Sequence, residues 1–490
     1  MKILLVYPRS PDTFWSFKHV LPFVAKRAAF PPLGLLTVAA MLPPEWELKL
    51  VDTNVAPLAD HDVAWADWVM LSGMIVHKES AREIAMRCAA LGRPVIAGGP
   101  LFTTGHWDFP EIPHFVLGEA EDLVGELVAD MRSGTVKPVY RAAGFPDVSK
   151  TPVPRWDLVD LRHYVTMPVQ FSRGCPFDCE FCDIVVMNGR VPRTKAPRQV
   201  IAELEALRRA GWRDMVFIVD DNFIGNKKRV KELLAALVDW RARTGPAMGF
   251  LTEASVNLAD EDEILDLMVR SGFKKVFVGL ETPVLESLEE CRKVQNRKRD
   301  LVEAVKAIQG AGLEVMGGFI IGFDNDPLDV FRRQFEFIQR AGVVTAMVGL
   351  LTALPQTRLY ARLAKEGRIL AESVGDNTSA VLNFVPRLDR GRLFAGYREL
   401  MVSLYAPENY YRRVRAFLTA WHPGGPSLRL GGADVRAFLR SLWTLGILRG
   451  GRLAFWRLFW ATLLARPRKF RAAMEFAIIG LHFRIVADRL

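Results

Sequence analysis

Cysteine is scarce in this sequence. The five cysteines are an odd number, and three of them are crowded into eight positions, which argues against a disulfide framework. The amino terminus, MKILLVYP, has one lysine and an apolar run that ends at Pro8, which is too short for the hydrophobic region of a signal peptide. These absences predict a cytoplasmic protein with reduced thiols.

Acidic residues are scarce in the carboxyl-terminal part of the chain. Residues 411–490 hold fifteen Arg or Lys against three Asp or Glu, a net charge of +12, whereas the whole chain carries +10. No charge-free window there reaches the roughly 18 residues that a membrane span needs. The segment GRLAFWRLFWATLLARPRKF interleaves Trp456, Phe459 and Trp460 with arginines, which predicts peripheral contact with the inner membrane surface. The alternative is a set of ordinary amphipathic helices with solvated arginines.

The length and composition indicate a globular protein of several domains. At roughly 150 residues per domain, 490 residues predict about three domains. Half of the residues are hydrophobic and a quarter are charged, which is typical of packed domains. Nucleic acid is not expected as a partner, because the positive charges lie among bulky apolar residues.

Apolar segments in the first 140 residues alternate with helical patterns, which predicts a doubly wound parallel sheet over residues 1–140. The expected strands are ILLVY at 3–7, WELKLVD at 46–52, WVMLSGM at 68–74, PVIAGGP at 94–100 and HFVLGEAED at 114–122. Such sheets bind ligands at the carboxyl ends of their strands. The small and polar residues at those ends are Asp52, Ser72, Gly73, Gly98, Gly99 and Gly118.

A second α/β series follows a proline-rich linker, which we place at residues 141–165. Its expected strands lie at 168–172, 214–220, 248–254, 275–281, 314–322 and 345–351. Six strands separated by helical patterns predict a partial (β/α)6 TIM-like barrel over residues 166–370, with its chemistry at the carboxyl ends of the strands. Residues 371–490 predict a mostly helical, basic and aromatic domain.

The crowded cysteines, Cys175, Cys179 and Cys182, lie in SRGCPFDCEFCDI, directly after the first strand of the predicted barrel. A structural zinc site takes four protein ligands, and no fourth Cys or His lies nearby in the sequence. A 4Fe-4S cluster can be held by three thiolates and offer its fourth iron to a ligand. The spacing therefore favours an iron–sulfur cluster over zinc.

This spacing, with Phe181 directly before the third cysteine, resembles the signature of the radical S-adenosylmethionine superfamily. The resemblance covers about residues 165–370. It implies that Cys175, Cys179 and Cys182 ligate the cluster and that the unique iron binds S-adenosylmethionine. Reduction, by an electron donor such as flavodoxin or ferredoxin, then cleaves S-adenosylmethionine and frees a 5′-deoxyadenosyl radical.

Other strand ends resemble the cofactor-holding elements of that superfamily. Glu253 in LTEAS resembles the carboxylate that binds the ribose hydroxyls, the alternative being an ion pair with a barrel arginine. The glycines of GGFIIGFDND resemble an adenine-binding strand, the alternative being a bulge or a tight turn. Glu281 is a further carboxylate at a strand end. Asp221 and Asn222 follow the second barrel strand, where polar side chains after an apolar run have to face a site or water, and are candidates for cofactor or substrate contact. The other cofactor contacts that the resemblance implies in the barrel are Phe181, Glu253, Gly318, Gly322 and Pro355.

The amino-terminal region, with FPPLGLLTVAAML and AGGPLFTT, resembles the cobalamin-binding domain of the large cobalamin-dependent class of the superfamily. The resemblance implies cobalamin contacts at Asp52, Ser72, Gly73, Gly98 and Gly99. The alternative is a generic Rossmann-like domain that binds another nucleotide or nothing. The methionine-synthase pattern Asp-x-His-x-x-Gly is absent, so we expect cobalamin without a histidine as its lower axial ligand. His61 and His77 are expected to be surface or loop residues.

The whole chain is similar to a bacterial subfamily that includes enzymes that methylate C-2 of hopanoid lipids. We therefore expect a cobalamin-dependent radical methyltransferase that acts on an unactivated carbon, with a lipid or another apolar molecule as substrate. The alternative is ring formation, rearrangement or oxidation without methyl transfer. A non-enzymatic electron carrier is disfavoured, because carriers use four ligands for their cluster.

Overall fold

Two parallel sheets and a helical carboxyl-terminal region make up the fold, as the sequence predicts. The computed structural model describes residues 1–245, 248–376, 381–424 and 432–490. Among these residues, no helix is both long and apolar enough to cross a membrane.

The amino-terminal sheet has six parallel strands in the order β2-β1-β3-β4-β5-β6. The five expected strands are confirmed, and a sixth, which the sequence did not predict, joins at the end of the domain. The strands are β1 Lys2–Tyr7, β2 Glu47–Asp52, β3 Trp68–Ser72, β4 Val95–Gly98, β5 His114–Leu117 and β6 Val139–Arg141. Apolar clusters cover both faces, which is why these strands read as continuous apolar runs. The helices are α1 Leu21–Val24, α2 Leu33–Met41, α3 Asp60–Trp65, α4 Lys78–Ala90, α5 Pro100–Gly105 and α6 Val124–Ser133.

The second sheet is a partial barrel of six parallel strands, in the order β7-β10-β11-β12-β13-β14 along the chain. All six expected barrel strands are confirmed. The strands from β7 onward are β7 Met167–Val169, β8 Ser172–Arg173, β9 Arg193–Thr194, β10 Met215–Ile218, β11 Gly249–Ala254, β12 Phe273–Glu281, β13 Glu314–Ile321 and β14 Ala346–Leu350. β8 and β9 form a separate antiparallel pair. The helices are α7 Ile184–Asn188, α8 Pro197–Arg209, α9 Lys227–Thr244, α10 Asp262–Ser271, α11 Leu285–Glu290, α12 Leu301–Gly310, α13 Val330–Ala341 and α14 Arg358–Lys365.

Apolar side chains line the interior of the partial barrel. Along β10 to β13, alternate residues are fully buried against the outer helices, and the residues between them are half-buried and face the interior. The large apolar members of this interior set are Phe217, Leu251, Phe277, Met316 and Ile320. Trp15, from the first loop of the amino-terminal domain, packs on Phe277 with ring centroids 4.9 Å apart.

The carboxyl-terminal region consists of α15 Arg390–Tyr405, α16 Pro407–Ala420, α17 Gly432–Trp443, α18 Arg452–Ala465 and α19 Phe470–Ala487. α19 is buried on most of its surface and packs on α15, α16 and α18. At one end, Glu475 Oε1 accepts a hydrogen bond from Lys275 Nζ of β12 at 2.5 Å. Nearer the other end, the Phe483 ring stacks on Tyr405 and contacts Phe14 of the first domain. The helix therefore ties the barrel to the amino-terminal domain.

Candidate functional site

The three crowded cysteines lie in one loop, between the paired strands β8 and β9. Cys182 N donates a hydrogen bond to Cys179 O at 3.2 Å, which forms a turn before α7. Cys175 N donates to Gly189 O, also at 3.2 Å, so the residues that follow α7 return to the start of the loop. We call residues 174–189 the cysteine loop.

Asp221, just after β10, forms hydrogen bonds with both ends of the cysteine loop. Its Oδ2 accepts hydrogen bonds from Gly174 N at 2.7 Å and from Asn188 Nδ2 at 2.9 Å. Asn222 Oδ1 accepts from Ser255 N, beyond the end of β11. These bonds explain why polar residues follow an apolar strand at this position. A direct cofactor contact by Asp221 or Asn222 stays a prediction.

The cysteine loop has features that fit a thiolate-ligated cluster. Asn222 Nδ2 lies 3.8 Å from Cys175 Sγ, and Gln295 Nε2 lies 3.8 Å from Cys179 Sγ, as donors to the sulfurs. Burial raises the pKa of the Cys175 and Cys182 thiols, so both keep their protons until a metal displaces them. No three His, Cys, Asp or Glu side chains in the described part of the chain are placed to hold one metal ion. A 4Fe-4S cluster does not require this, because each thiolate binds a different iron.

A buried ion pair that the sequence did not reveal lies beside the cysteine loop. Lys293 Nζ donates to Glu281 Oε1 at 2.6 Å, and lies 5.9 Å from the centre of the Phe181 ring. Burial alone would lower the pKa of Lys293, but Glu281 and the nearby cysteines raise it. A Cβ at Gly279 would lie 2.5 Å from Glu281 Oε1 and 2.8 Å from Lys293 Nζ, so a larger residue there would displace the paired ends of these side chains. The lysine supplies a positive charge beside a set of thiolates.

Glu253, at the carboxyl end of β11, faces the barrel interior with an unengaged carboxyl group. It has no hydrogen-bond or ion-pair partner among the described residues, so the barrel arginine that was the alternative is not there. Burial, with Asp221 and Asp220 nearby, raises its pKa to about 8. A carboxylate held without a partner can accept two hydroxyl hydrogen bonds from a bound ribose.

Replacing Glu253 by Gln is expected to weaken S-adenosylmethionine binding about tenfold to a hundredfold, because hydrogen bonds to a charged acceptor are lost. A carboxyl with a pKa of about 8 is mostly protonated at neutral pH, so its contribution to affinity grows as the pH rises through 8 and the group ionises. The difference between wild type and variant should therefore widen from pH 6.5 to pH 8.5, as titration calorimetry would show. Exposed Glu263→Gln is the control, and a pH-independent difference would contradict the assignment.

The glycines expected on the adenine side lie on β13 and just after it. Gly318 faces the Phe277 ring, whose nearest atom would be 2.7 Å from a Cβ there. Gly322 N donates to Asp326 Oδ2 at 2.8 Å in a tight turn. Pro355 lines a cavity of about 160 Å³ between the barrel and the amino-terminal domain. Contact of these residues with S-adenosylmethionine stays a prediction.

The small residues predicted to contact cobalamin meet at the carboxyl edge of the first sheet. Gly99 has φ of +88° and directly precedes α5, and a Cβ there would lie 2.5 Å from Ser72 Oγ. The exposed apolar side chains of Met74 and Trp107 lie beside this edge, on the segments after Gly73 and Gly98. A ligand can approach the backbone closely at these glycines, next to exposed apolar side chains. Such a surface fits a flat macrocyclic cofactor. A contact between these residues and cobalamin stays a prediction.

Asp52, the last residue of β2, joins the two domains. It is buried, and accepts hydrogen bonds from Asn54 Nδ2 at 2.8 Å and from Tyr164 OH at 3.1 Å. Tyr164 belongs to the segment that enters the barrel. Burial raises the pKa of Asp52, and these donors oppose the shift. Its predicted contact with cobalamin is untested, and its observed role is structural.

The expectation of a surface or loop position is correct for His61 and only half correct for His77. His61 is exposed, whereas His77 follows β3 in a short turn but is fully buried. Met74 N donates to His77 Nδ1 at 3.1 Å, so Nε2 carries the proton toward Ser10 Oγ at 2.9 Å. Burial lowers the pKa of His77 to about 4. Both ring nitrogens of His77 are therefore engaged within the fold. That no histidine ligates the cobalt stays a prediction.

A cluster of ion pairs fastens the amino-terminal domain to the cysteine loop. Glu119, just after β5, accepts hydrogen bonds from Arg173 Nη1 at 2.5 Å and from Arg193. Arg173 also donates to Glu121 Oε1 at 2.7 Å. Burial would raise the pKa of Glu121, but Arg173 lowers it. Because Arg173 and Arg193 lie on β8 and β9, this carboxylate cluster holds both strands that flank the loop.

Three segments of the chain match known families. Residues 26–128 match the B12 binding domain, and residues 169–338 match the radical SAM superfamily. Residues 357–490 match a domain of unknown function, DUF4070. The first two matches fall on the two parallel sheets, and the third covers the helical region.

Two relatives are similar over nearly the whole chain. An uncharacterized methyltransferase of Synechocystis sp. is 41% identical over 99% of this chain and 91% of its own length. The hopanoid C-2 methylase of Rhodopseudomonas palustris is 35% identical over 93% of this chain and 88% of its own. Among solved structures, the radical S-adenosylmethionine methyltransferase TsrM of Kitasatospora setae, with cobalamin and a 4Fe-4S cluster bound, gives a TM-score of 0.65. It is 16% identical, covers 98% of this chain and 99% of its own, and supports the fold alone.

Proposed function

Because this chain belongs to the cobalamin-dependent radical S-adenosylmethionine methyltransferases, we propose that it methylates an unactivated carbon of a polycyclic lipid of the hopanoid class. Its cofactors are a 4Fe-4S cluster, S-adenosylmethionine and cobalamin. When bound, they supply a hydrogen-abstracting 5′-deoxyadenosyl radical and a transferable methyl group. The relatives support methyl transfer rather than ring formation or oxidation.

The apolar interior of the barrel carries the substrate proposal. The large apolar side chains that face the barrel interior, as Glu253 does, are Phe217, Leu251, Phe277, Met316 and Ile320. A hydrocarbon ring system gains free energy by covering such surfaces, whereas polar groups there would lose their water without finding partners. Lys275, deeper in the barrel, is already paired with Glu314 and Glu475. The interior therefore favours an apolar substrate.

Different residues of this chain have different roles in the proposed reaction. Cys175, Cys179 and Cys182 would hold the cluster, and Glu253 would hold the ribose of S-adenosylmethionine. Asp221 fixes the loop that carries the cysteines. The apolar interior excludes water, which would otherwise compete with the substrate for the space beside the radical.

The electrons for S-adenosylmethionine cleavage would come from a flavodoxin or a ferredoxin. The two cysteines outside the triad, Cys88 and Cys291, are both buried and lie in different domains. They offer no ligand set for a second cluster, so an external donor is needed. Residues 411–490 would contact the membrane from which the lipid comes.

The test is an anaerobic assay of the reconstituted enzyme with methylcobalamin, S-adenosylmethionine, a reductant and a detergent-solubilised hopanoid. The expected product, by mass spectrometry, is the lipid with one hydrogen replaced by methyl. One 5′-deoxyadenosine should accompany each methylated molecule. One S-adenosylhomocysteine should also accompany each one after the first turnover, which uses the methyl group of the supplied methylcobalamin. Release of 5′-deoxyadenosine without any methylated lipid, across hopanoids and other polycyclic lipids, would overturn the proposal.

A further inference from the structure

Helices α17 and α18 expose an unusual set of large apolar side chains. Val435, Leu439 and Trp443 recur at every fourth position of α17, which places them on one stripe of the helix. In α18 the most exposed positions include Leu453 at 75% and Leu464 at 77%. Ile447 and Leu448, in the helical turn that joins α17 to α18, are exposed as well. We define the outer face of α17 and α18 as Val435, Leu439, Trp443, Ile447, Leu448, Leu453, Trp460 and Leu464.

The outer face points away from the rest of the protein. α17 and α18 both pack on α19, and they touch each other through stacked Phe438 and Phe459, with ring centroids 6.3 Å apart. The residues of α18 that face inward, such as Phe455 and Leu458, are completely buried. The packing of α17 and α18 on the rest of the protein therefore does not use the exposed apolar side chains.

Positive charge predominates around this face, and the adjacent acidic residue, Asp434, is paired with Arg471. Residues 435–474 contain nine Arg or Lys and no Asp or Glu. Arg436, Arg449, Arg452 and Arg457 are exposed among the apolar residues. Large exposed apolar patches mark interaction sites, and Trp with long Arg side chains is typical of the boundary between lipid headgroups and acyl chains.

We propose that the outer face of α17 and α18 binds the surface of an anionic phospholipid membrane. Its apolar side chains enter the acyl boundary and its arginines meet the headgroup phosphates. The complementarity of charge selects this partner over a second copy of the chain, whose own face carries the same positive charge. Only the purpose of this membrane contact, which is to reach a lipid substrate, rests on the proposed function.

The test is co-sedimentation of the full-length holoenzyme with vesicles, without any hopanoid. One set of vesicles contains phosphatidylcholine alone and the other contains phosphatidylcholine with phosphatidylglycerol. We expect pelleting with the anionic set and about tenfold less with the neutral set or at high salt. The double variant Leu453→Glu, Leu464→Glu should lose about tenfold of the pelleting. Met86→Glu, at another exposed apolar position, on α4, should bind like wild type.

Each other outcome overturns the docking proposal and leaves the proposed reaction standing. Equal pelleting on neutral and anionic vesicles contradicts the role of charge, and equal pelleting of the double variant contradicts the face. Light scattering gives a further check. If wild type is a dimer, the double variant a monomer and neither binds vesicles, the face is a contact between two copies. Circular dichroism melts of both proteins verify that the variant is folded.

Discussion

Replacement of Cys179 by alanine is expected to abolish the cleavage of S-adenosylmethionine. Cys179 is the buried member of the triad and lies between the other two in the cysteine loop. Two thiolates cannot retain a 4Fe-4S cluster firmly, so we expect loss of bound iron and at least about a thousandfold lower rate of 5′-deoxyadenosine formation. Iron analysis, electron paramagnetic resonance of the reduced protein and chromatography of the nucleoside would measure these effects.

The remaining cysteines are the matched controls for this experiment. Cys88 is buried in the core of the first domain, where truncation to Ala leaves a small cavity that costs about 1 kcal/mol. Cys291 is the stricter control, because its carbonyl oxygen accepts a hydrogen bond from Glu180 N of the cysteine loop. Cys88→Ala and Cys291→Ala should both keep the iron of wild type. If Cys291→Ala loses the cluster, or Cys179→Ala keeps it, the ligand assignment is wrong.

The strands could be predicted because their signal is local. Each of the eleven expected strands is a short apolar run bounded by glycine, proline or polar residues, and each is present. β6 was missed because Val139–Arg141 is a three-residue edge strand with exposed ends and no apolar run. Its pairing comes from β5, which no local pattern reveals.

The parts of the site that were not predicted depend on contacts between distant residues. Lys293 lies after Cys291 in a stretch with no motif, and only the fold brings its ammonium group to Glu281 and the cysteine loop. Asp221 was expected to contact a ligand because it is polar and follows a strand. Its hydrogen bonds with Gly174 N and Asn188 Nδ2 could not be predicted from that position. The type of a residue and its position at the end of a strand thus indicate that a site is present. They do not indicate what each side chain contacts there.

Replacement of Glu119 by alanine is expected to uncouple radical formation from methyl transfer. The Glu119 carboxylate joins the domain that matches the B12-binding family to both strands flanking the cysteine loop. Its loss leaves Arg193 without a carboxylate partner and Arg173 with Glu121 alone, and a broken buried pair costs about 3 kcal/mol. Small misplacement of two reacting groups is costly, so we expect at least about a tenfold lower ratio of methylated product to 5′-deoxyadenosine. Mass spectrometry of both products gives this ratio.

Glu126→Ala is the control for this prediction, because Glu126 belongs to the same domain and its ion pair with Lys137 is half exposed. Such a surface pair contributes little, so the ratio should equal that of wild type. The ratio of methylated product to 5′-deoxyadenosine separates misplacement from unfolding better than the rate of methylation does. Partial unfolding lowers the amounts of both products together and leaves their ratio unchanged. If Glu119→Ala lowers the melting temperature and leaves the ratio unchanged, the contact only stabilises the fold. A fall in the ratio instead means that the position of the cysteine loop relative to the first domain governs methyl transfer.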